Sequence, residues 1–241
     1  MARIDGREND QLRPVEFLPG INRFAEGSCL IRCGNTHVLC TASVEERTPP
    51  HVPEGEGWVT AEYSMLPRAN RERSRRDISK GKLSPRSAEI QRLVGRALRA
   101  AVDLKKLGAR TITIDCDVLQ GDGGTRTASV TGGFVALSYA CWKLVEEGVI
   151  PEMPITTCVA AVSAGIVDDV PMLDLCYEED SSAMVDLNCV MNHEGEIIEL
   201  QGTGEGRAFT IAEQRQLVDL CAKGIREIQA IQKAVLEGGD A

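Results

Sequence analysis

The sequence predicts an α/β fold built on a mixed sheet, arranged as one domain over residues 1–241 with an internal ββαβα-like pseudo-repeat. Strand hairpins followed by further strands and a helix occur twice, in residues 1–148 and again in residues 149–241. No stretch between these halves has the composition of an interdomain linker. Hydrophobic residues make up 43% of the chain, which is enough for a sizeable core.

Strands are predicted where apolar and polar residues alternate, or where two apolar runs flank a turn. In the first half they are residues 13–18, 28–33, 37–44, 58–65 and 110–118. In the second half they are residues 155–164, 165–177, 183–191 and 197–201. Pro14 restricts the first strand to a sheet edge, and segments 155–164 and 165–177 are expected to pair as a hairpin.

Three helices are predicted. Ser84 and Pro85 fit the N-cap and the first position of a long helix whose apolar residues recur at helical spacing. Residues 134–145 form an apolar segment typical of a buried helix, and residues 209–236 predict a closing helix. The polar, basic residues 67–81 are expected to form a mobile excursion from the fold.

A glycine-rich stretch, residues 119–133, joins the strand 110–118 to the buried helix. Such a junction offers free backbone N–H groups and the positive end of a helix dipole to an anion. Thr125 adds a hydroxyl, and Arg126 adds a planar guanidinium suited to phosphate oxygens. The stretch lacks the P-loop and dinucleotide-binding signatures, and a flexible turn with one solvated arginine is the alternative interpretation.

The net charge of −9 argues against a protein that coats nucleic acid over its whole surface. Charge is nevertheless segregated, because residues 68–99 hold eleven Arg and Lys residues against three acidic ones, a local net charge of +8. This pattern predicts a polyanion-binding surface on an acidic body, with a solvated loop and helix face as the alternative. Arg92, Arg96 and Arg99 share one stripe of the predicted helix.

Asp180 and Asp186 are the candidate residues for acid–base chemistry. They lie six positions apart, with Asp186 inside a predicted strand. Two carboxylates brought close together can share a divalent cation, or one of them can keep a proton and act as a general acid. Taken by itself, the run Glu178, Glu179 and Asp180 is more typical of a solvated turn than of a catalytic site.

Nine cysteines occur singly, without C-x-x-C pairs, which is typical of reduced thiols in a core rather than of disulfides or zinc ligands. The first ten residues are too charged for a signal peptide. No apolar run approaches the roughly 20 residues that a membrane-spanning helix needs. We therefore expect a cytoplasmic protein without a membrane segment.

Together with Arg7, six segments resemble the ribonuclease PH family of phosphate-dependent 3′-exoribonucleases, which trim transfer RNA precursors. The resemblance covers essentially the whole chain. Its segments are QLRP at 11–14, WVTAEYSMLPR at 58–68, EIQRLVGRALR at 89–99, LQGDGGTR at 119–126, LDLCYEED at 173–180 and ELQGT at 199–203. Two positions depart from the family pattern: Met184 stands where an acidic residue is frequent, and Pro85 where glycine is common.

The resemblance implies a fold like domain 2 of ribosomal protein S5, assembled as a ring of six identical chains, a trimer of dimers. It implies release of nucleoside diphosphates from RNA 3′ ends, with nucleotide addition as the reverse reaction. It places the co-substrate, inorganic phosphate, on Arg86, Gly124, Thr125 and Arg126, and it assigns catalysis and Mg²⁺ binding to Asp180 and Asp186. The positions assigned to RNA are Arg68, Arg71, Arg73, Arg75, Arg76, Arg92, Arg96 and Arg99.

Two other functions compete with this interpretation. One is a ring-forming RNA-binding subunit without catalysis, as occurs among relatives in exosome-like assemblies; such a chain would be expected to lose Thr125 and Arg126, or the two aspartates. The other is a hydrolytic, metal-dependent nuclease, which needs a denser set of carboxylates around two metal ions.

Overall fold

The computed structural model describes residues 3–76, 79 and 81–238. Within them the strands form two sheets, one with the order β1-β2-β3-β5-β4 and one with the order β7-β6-β8-β9. The first sheet is mixed, because β4 runs parallel to β5, and the second is antiparallel throughout. The strands are β1 (Val15–Pro19), β2 (Gly27–Cys33), β3 (Thr36–Glu45), β4 (Trp58–Met65), β5 (Thr111–Gln120), β6 (Val159–Val167), β7 (Val170–Leu173), β8 (Val185–Asn192) and β9 (Ile197–Thr203).

The helices lie against these sheets and share one continuous buried core with them. They are α1 (Pro85–Arg99), α2 (Leu104–Leu107), α3 (Thr125–Glu146), α4 (Tyr177–Ser182) and α5 (Ile211–Leu236). The predicted α/β class with a mixed sheet is confirmed. The predicted start of α1 is also confirmed, because Ser84 accepts a hydrogen bond from the Ser87 amide at 3.0 Å and Pro85 occupies the first turn.

Helix α3 organises the fold, because it packs against strands of both sheets and is buried along most of its length. The backbone of β2 lies so close to α3 that a Cβ added at Gly27, the first residue of β2, would be 2.0 Å from the Ala136 carbonyl oxygen. By length and apolar composition alone α3 would suffice to cross a membrane, contrary to the expectation that no such run exists. Its residues instead form the centre of the core.

The predicted start of α3 near residue 134 is wrong, since the helix begins at Thr125. Gly124 ends the preceding turn with a φ of 65°, and the chain is helical from there on. Gly132 therefore lies inside the helix rather than in a loop, at a point where a Cβ would meet the Ile31 side chain at 2.6 Å. Close packing, and not chain flexibility, explains this glycine.

The predicted hairpin of the second half turns later than expected, because β6 continues to Val167. Asp168 and Asp169 form the turn, with φ values of 49° and 60°. Gly165 is a strand residue, and a Cβ there would lie 2.5 Å from the Val185 carbonyl oxygen of β8. A glycine that reads as a turn signal thus serves the close pairing of two strands.

The basic segment, residues 67–81, follows β4, and its described residues form turns and irregular structure. Asp77, Ile78 and Lys80 lie outside the described residues, and the mobility of the segment stays a prediction. Its start is fixed, because Ala69 is buried and its carbonyl accepts a hydrogen bond from the Gly121 amide at 2.8 Å. The basic segment and the glycine-rich stretch are therefore joined by backbone contact.

Candidate active site

A cavity of about 320 Å³ lies where the N-termini of α1 and α3 face the second sheet. The structure gathers around it all six residues predicted for phosphate binding and catalysis. The lining residues are Arg86, Gly124, Thr125, Arg126, Ser163, Asp180, Ser181, Ala183, Asp186, Asn188 and Glu205. Positive and negative groups thus line the same cavity.

The N-terminus of α3 forms one wall of this cavity. Gly124 is the N-cap residue and has no side chain to cap the first amides of the helix. These amides and the helix dipole favour an anion at this position. Thr125 is buried, and its hydroxyl shares a hydrogen bond of 2.9 Å with the hydroxyl of Tyr63 on β4. Tyr63 therefore fixes the threonine rotamer.

Arg126 is held between two other elements. Its guanidinium donates to the Gln201 side-chain oxygen on β9 and lies 3.4 Å from a Glu89 carboxylate oxygen on α1. Gln201 in turn donates to the same Glu89 oxygen at 3.0 Å. Only 16% of the Arg126 side chain is exposed, so the charge is placed at the cavity wall before any ligand arrives.

Arg86 approaches the cavity from the first turn of α1 and remains exposed. A cation in the first turn of a helix opposes the helix dipole, and no acidic residue lies in that turn to compensate it. The first turn of α3 likewise contains Arg126 and no acidic residue. Two helix N-termini and two guanidinium groups therefore converge, which is an arrangement that an anion stabilises.

Buried ionic contacts hold the glycine-rich stretch in place. Arg13 donates to both carboxylate oxygens of Asp174, at 3.0 and 2.7 Å, and also to the Asp122 carbonyl oxygen. The Thr36 hydroxyl donates to the Gly123 carbonyl at 2.6 Å and accepts from the Asp122 amide at 2.9 Å. Because Arg13 and Asp174 are both buried, the turn before α3 is anchored to both halves of the chain.

Asp180 lies on the short helix α4, whose acidic run differs from a solvated turn in one residue, because Glu179 is buried while Glu178 and Asp180 are exposed. Glu179 is buried and accepts hydrogen bonds from the Arg3 guanidinium at 2.8 and 2.6 Å. Its carboxylate also accepts from the Cys176 amide at 3.1 Å. Glu179 therefore fixes α4 against the N-terminal segment, and Asp180 next to it remains exposed at the cavity.

Asp186 projects from β8 into the same cavity, and Asn188, two residues further along the strand, shares its face. The Asn188 amide donates to Asp186 at 3.0 Å. Burial and the nearby charge of Asp180 raise the pKa of Asp186 to about 6. Burial also raises the pKa of Asp180, against the opposing effect of Arg86 and Arg126. One proton is therefore readily kept within this pair of carboxylates.

The residues predicted to bind RNA lie outside the cavity. Arg68, Arg71, Arg73, Arg75 and Arg76 are all exposed on the basic segment. Arg71 pairs with Glu178, which links the segment to α4. On α1, Arg92 is exposed, Arg96 pairs with Glu199 at 2.8 Å, and Arg99 stacks on Trp58 at 4.2 Å. The last two thus already have partners within the chain.

Several residues at the site were not predicted. Asn188 could have been predicted, because residues two positions apart on a strand lie on the same face of the sheet, and Asn188 is two residues from Asp186. Tyr63, Ser163, Gln201 and Glu205 carry no local signal, because their approach to the cavity depends on how the two sheets and the helices pack. Among the described residues no group of three or more His, Cys, Asp or Glu side chains is arranged as a metal site.

The Asp186→Asn variant is expected to change how stability depends on pH in the metal-free protein. Because the pKa of Asp186 is raised from 3.8 to about 6, the folded state holds this proton more tightly than the unfolded chain. The resulting stabilisation is complete below pH 3.8 and is lost as the pH rises through 6. It corresponds to about 3 kcal/mol.

Denaturant unfolding at about pH 4 and about pH 8 measures this difference. Relative to the unmodified protein, Asp186→Asn is expected to gain about 2 to 3 kcal/mol in free energy of unfolding between the two pH values. Asp219→Asn, at an exposed position on α5, is the control. An equal effect of Asp186→Asn at both pH values would contradict the raised pKa.

The chain is similar to known proteins over nearly its whole length. Residues 11–142 match the model of the 3′ exoribonuclease family, domain 1, and residues 157–223 match domain 2 of that family. Ribonuclease PH of Syntrophomonas wolfei is 53% identical over 237 residues, 98% of this chain and 99% of that protein. Ribonuclease PH of Bacillus subtilis is 56% identical over 236 residues, covering 97% and 96%.

The fold is also that of solved exosome subunits. The Archaeoglobus fulgidus exosome with RNA bound to the active site contains a chain that is 24% identical, with a TM-score of 0.77, and the match covers 95% of this chain and 91% of that one. At this identity the likeness shows the fold alone. With two family models over most of the chain and relatives above half identity over nearly all of it, the chain belongs to the 3′ exoribonuclease family, as a homologue of ribonuclease PH.

Proposed function

We infer that the cavity brings orthophosphate to the 3′ end of RNA, and that the protein is a phosphate-dependent 3′-to-5′ exoribonuclease, a nucleotidyltransferase-type enzyme. One observation carries this conclusion. The donors that could bind an anion, which are the first amides of α3, Thr125, Arg86 and Arg126 and are called the cradle below, line the same cavity as the carboxylates of Asp180 and Asp186. The identity of 53% and 56% to two proteins named ribonuclease PH supports it.

Orthophosphate is the anion that the cradle fits best. The amides at the start of α3, the Thr125 hydroxyl, and the guanidinium groups of Arg86 and Arg126 are all donors. Phosphate oxygens accept from each of them, and planar guanidinium groups bind such oxygens in bidentate fashion. Held in this way, an oxygen of orthophosphate is oriented towards the last phosphodiester of an RNA chain that enters the cavity.

The reaction exchanges one phosphate linkage for another. An oxygen of orthophosphate attacks the phosphorus of the terminal phosphodiester, the bond from phosphorus to the 3′ oxygen of the preceding nucleotide breaks, and a nucleoside diphosphate leaves. Arg86 and Arg126 stabilise the negative charge that spreads over the phosphoryl oxygens. Because the bonds formed and broken are similar in energy, the reverse reaction adds nucleotides when diphosphates are abundant.

The carboxylate pair supplies a proton to the leaving 3′ oxygen. The resemblance implies a catalytic role for both aspartates, and burial together with the charge of Asp180 raises the pKa of Asp186 to about 6. A group of this pKa is protonated in part of the molecules near neutrality, as a general acid requires. We therefore propose that the two aspartates act as a unit, in which Asp186 holds the proton and Asp180 raises its pKa.

We propose Mg²⁺ as the cofactor, bound by Asp180 and Asp186. Because a metal ligand must be ionised, Asp180 is the carboxylate ligand while Asp186 keeps its proton, and both aspartates are ligands once that proton has left. The fit rests on the donor set: two carboxylates face each other with Glu205 nearby, and no cation other than the two arginines lines the described cavity. Mg²⁺ binds to one or two carboxylates together with substrate phosphates, so a third protein ligand is not needed. When bound, the ion would neutralise charge on the phosphoryl group and on the carboxylates.

The competing functions account less well for the site. A hydrolytic nuclease has no use for a phosphate cradle of two arginines and a helix N-terminus. Such an enzyme needs a dense set of carboxylates around two metal ions, and the described residues show no group of three or more His, Cys, Asp or Glu side chains arranged to hold even one. A non-catalytic ring subunit has no need of the acid pair, yet Thr125, Arg126, Asp180 and Asp186 are all retained and face one cavity.

Transfer RNA precursors are the proposed substrate, and the exposed arginines of the basic segment are proposed to bind the RNA backbone beyond the cavity.

We further propose a ring of six chains, a trimer of dimers. Large apolar side chains are exposed, such as Phe24 at 79% and Ile211 at 64%, and contact with other chains would cover them. Light scattering tests the assembly: a mass of six chains is expected, and a monomer contradicts it.

The nine free cysteines agree with a reducing compartment, and we propose a cytoplasmic location, which cell fractionation tests.

Replacing Arg126 with alanine tests the proposed chemistry. The variant removes a guanidinium from the cradle, so the rate of nucleoside diphosphate release from RNA in phosphate buffer is expected to fall at least about 100-fold. Binding of RNA, measured by fluorescence anisotropy, is expected to stay within about threefold. Arg215→Ala on α5 is the control, an exposed arginine that does not line the cavity. Full activity of Arg126→Ala would refute the assigned role.

Replacing Arg73 and Arg76 together tests the basic segment. With about five phosphates neutralised on single-stranded RNA, log K is expected to fall with log salt concentration at a slope of about −3.5, and the double alanine variant should reduce it to about −2.1. Turnover of short oligonucleotides should be nearly unchanged. Arg215→Ala with Arg226→Ala is the control of equal charge, on the exposed side of α5. Equal losses on long and short RNA would exclude a separate binding surface.

A further inference from the structure

Ser163 has a hydroxyl that the fold leaves unused. Among the residues the structure describes, only two buried side-chain atoms have no hydrogen-bond partner, and the Ser163 Oγ is one of them. The other is the Arg32 Nε, whose guanidinium is already satisfied in part by Glu16. Ser163 is only 3% exposed, so bulk water does not solvate this hydroxyl freely. A buried hydroxyl without a partner costs free energy.

The position of Ser163 points to what would satisfy it. It lies in the middle of β6 directly opposite Asn188 on β8, so both side chains are on the same face of the sheet. Asn188 contacts Asp186, and both line the cavity together with Ser163 and Thr125. The Ser163 carbonyl accepts from the Asp174 amide at 2.7 Å, which fixes the strand here. The hydroxyl is thus held between the carboxylate pair and the start of α3.

The residues around Ser163 argue against a purely structural role for its hydroxyl. Its neighbours on β6 are Ala160, Ala161, Val162 and Ala164, all buried and apolar. Alanine at this position would fill nearly the same space without a polar atom to satisfy. Other buried serines behave differently: Ser129 and Ser138 donate to carbonyl oxygens one turn earlier in α3, at 2.8 and 2.9 Å.

We propose that the Ser163 hydroxyl binds the occupant of the cavity, by a hydrogen bond to an oxygen atom of orthophosphate or of a water that accompanies the divalent cation. This inference rests on the proposed phosphate-dependent reaction. A hydroxyl suits both sources, since it can donate to a phosphate oxygen or exchange a hydrogen bond with water. Fixed by the strand before the ligand binds, it loses little freedom on forming this bond.

The variant Ser163→Ala tests the inference, with Ser138→Ala as the matched control. Both serines are 3% exposed, but the Ser138 hydroxyl bonds within its own helix and does not line the cavity. Titration calorimetry measures the affinity for inorganic phosphate without metal, and for Mg²⁺ without phosphate. Ser163→Ala is expected to weaken one of the two by about tenfold, whereas Ser138→Ala changes neither.

Each outcome decides the question. A loss confined to the phosphate titration identifies a phosphate oxygen as the partner, and a loss confined to the Mg²⁺ titration identifies a water near the cation. The midpoint of thermal unfolding without ligands should not fall in Ser163→Ala, because no protein partner is lost. Unchanged affinities in both titrations would overturn the inference, as would an equal loss in Ser138→Ala. Ser163→Cys, similar in shape but a weak donor, should reproduce the alanine result.

Failure of this inference differs from failure of the proposed function. If the unmodified protein binds phosphate and releases nucleoside diphosphates while Ser163→Ala binds equally well, only the role of Ser163 is refuted. If the unmodified protein releases no diphosphates, the proposed function itself is refuted.

Discussion

The buried ion pair between Arg13 and Asp174 is the contact on which the site depends. It joins the start of the chain to the second half, and through the Asp122 carbonyl it fixes the turn that precedes α3. Burial alone would raise the pKa of Asp174, but the charge of Arg13 and its hydrogen bonds hold this pKa below its ordinary value. Removing one partner of such a pair costs about 3 to 5 kcal/mol, because an uncompensated charge stays buried. The turn that presents Gly124, Thr125 and Arg126 is thus anchored by a buried contact.

Charge at the site is divided between two walls. The starts of α1 and α3 bring two guanidinium groups and a set of free amides to one side, and α4 and β8 bring two carboxylates to the other. Each wall is unfavourable by itself, since like charges repel one another and the arginines oppose their helix dipoles. An anion against the first wall, with a cation or a proton at the second, removes both penalties. The placement of charges in the folded protein therefore favours binding of the reactants.

Local sequence patterns predicted the α/β class, most of the strands and the N-cap of α1, because these depend on alternation and on turn chemistry. They failed at glycines. Gly132 and Gly165 resemble loop and turn residues, but each serves the close approach of another element that no local pattern reveals. The glycine-rich stretch suggested Thr125 and Arg126, and the acidic residues of the second half suggested Asp180 and Asp186. Only the resemblance to a family placed these four in one site with Arg86 and Gly124. Tyr63 and Ser163 were missed for the same physical reason, since only the packing of distant strands brings them to the site.

The central claim is that orthophosphate bound between the two walls, and not water, is the nucleophile. Incubation of the protein with RNA, Mg²⁺ and isotopically labelled orthophosphate tests it most directly, with the products separated by chromatography. The account predicts that the label appears in the terminal phosphate of released nucleoside diphosphates, and that no product forms when phosphate is omitted. Release of unlabelled nucleoside monophosphates, with or without phosphate, would contradict it.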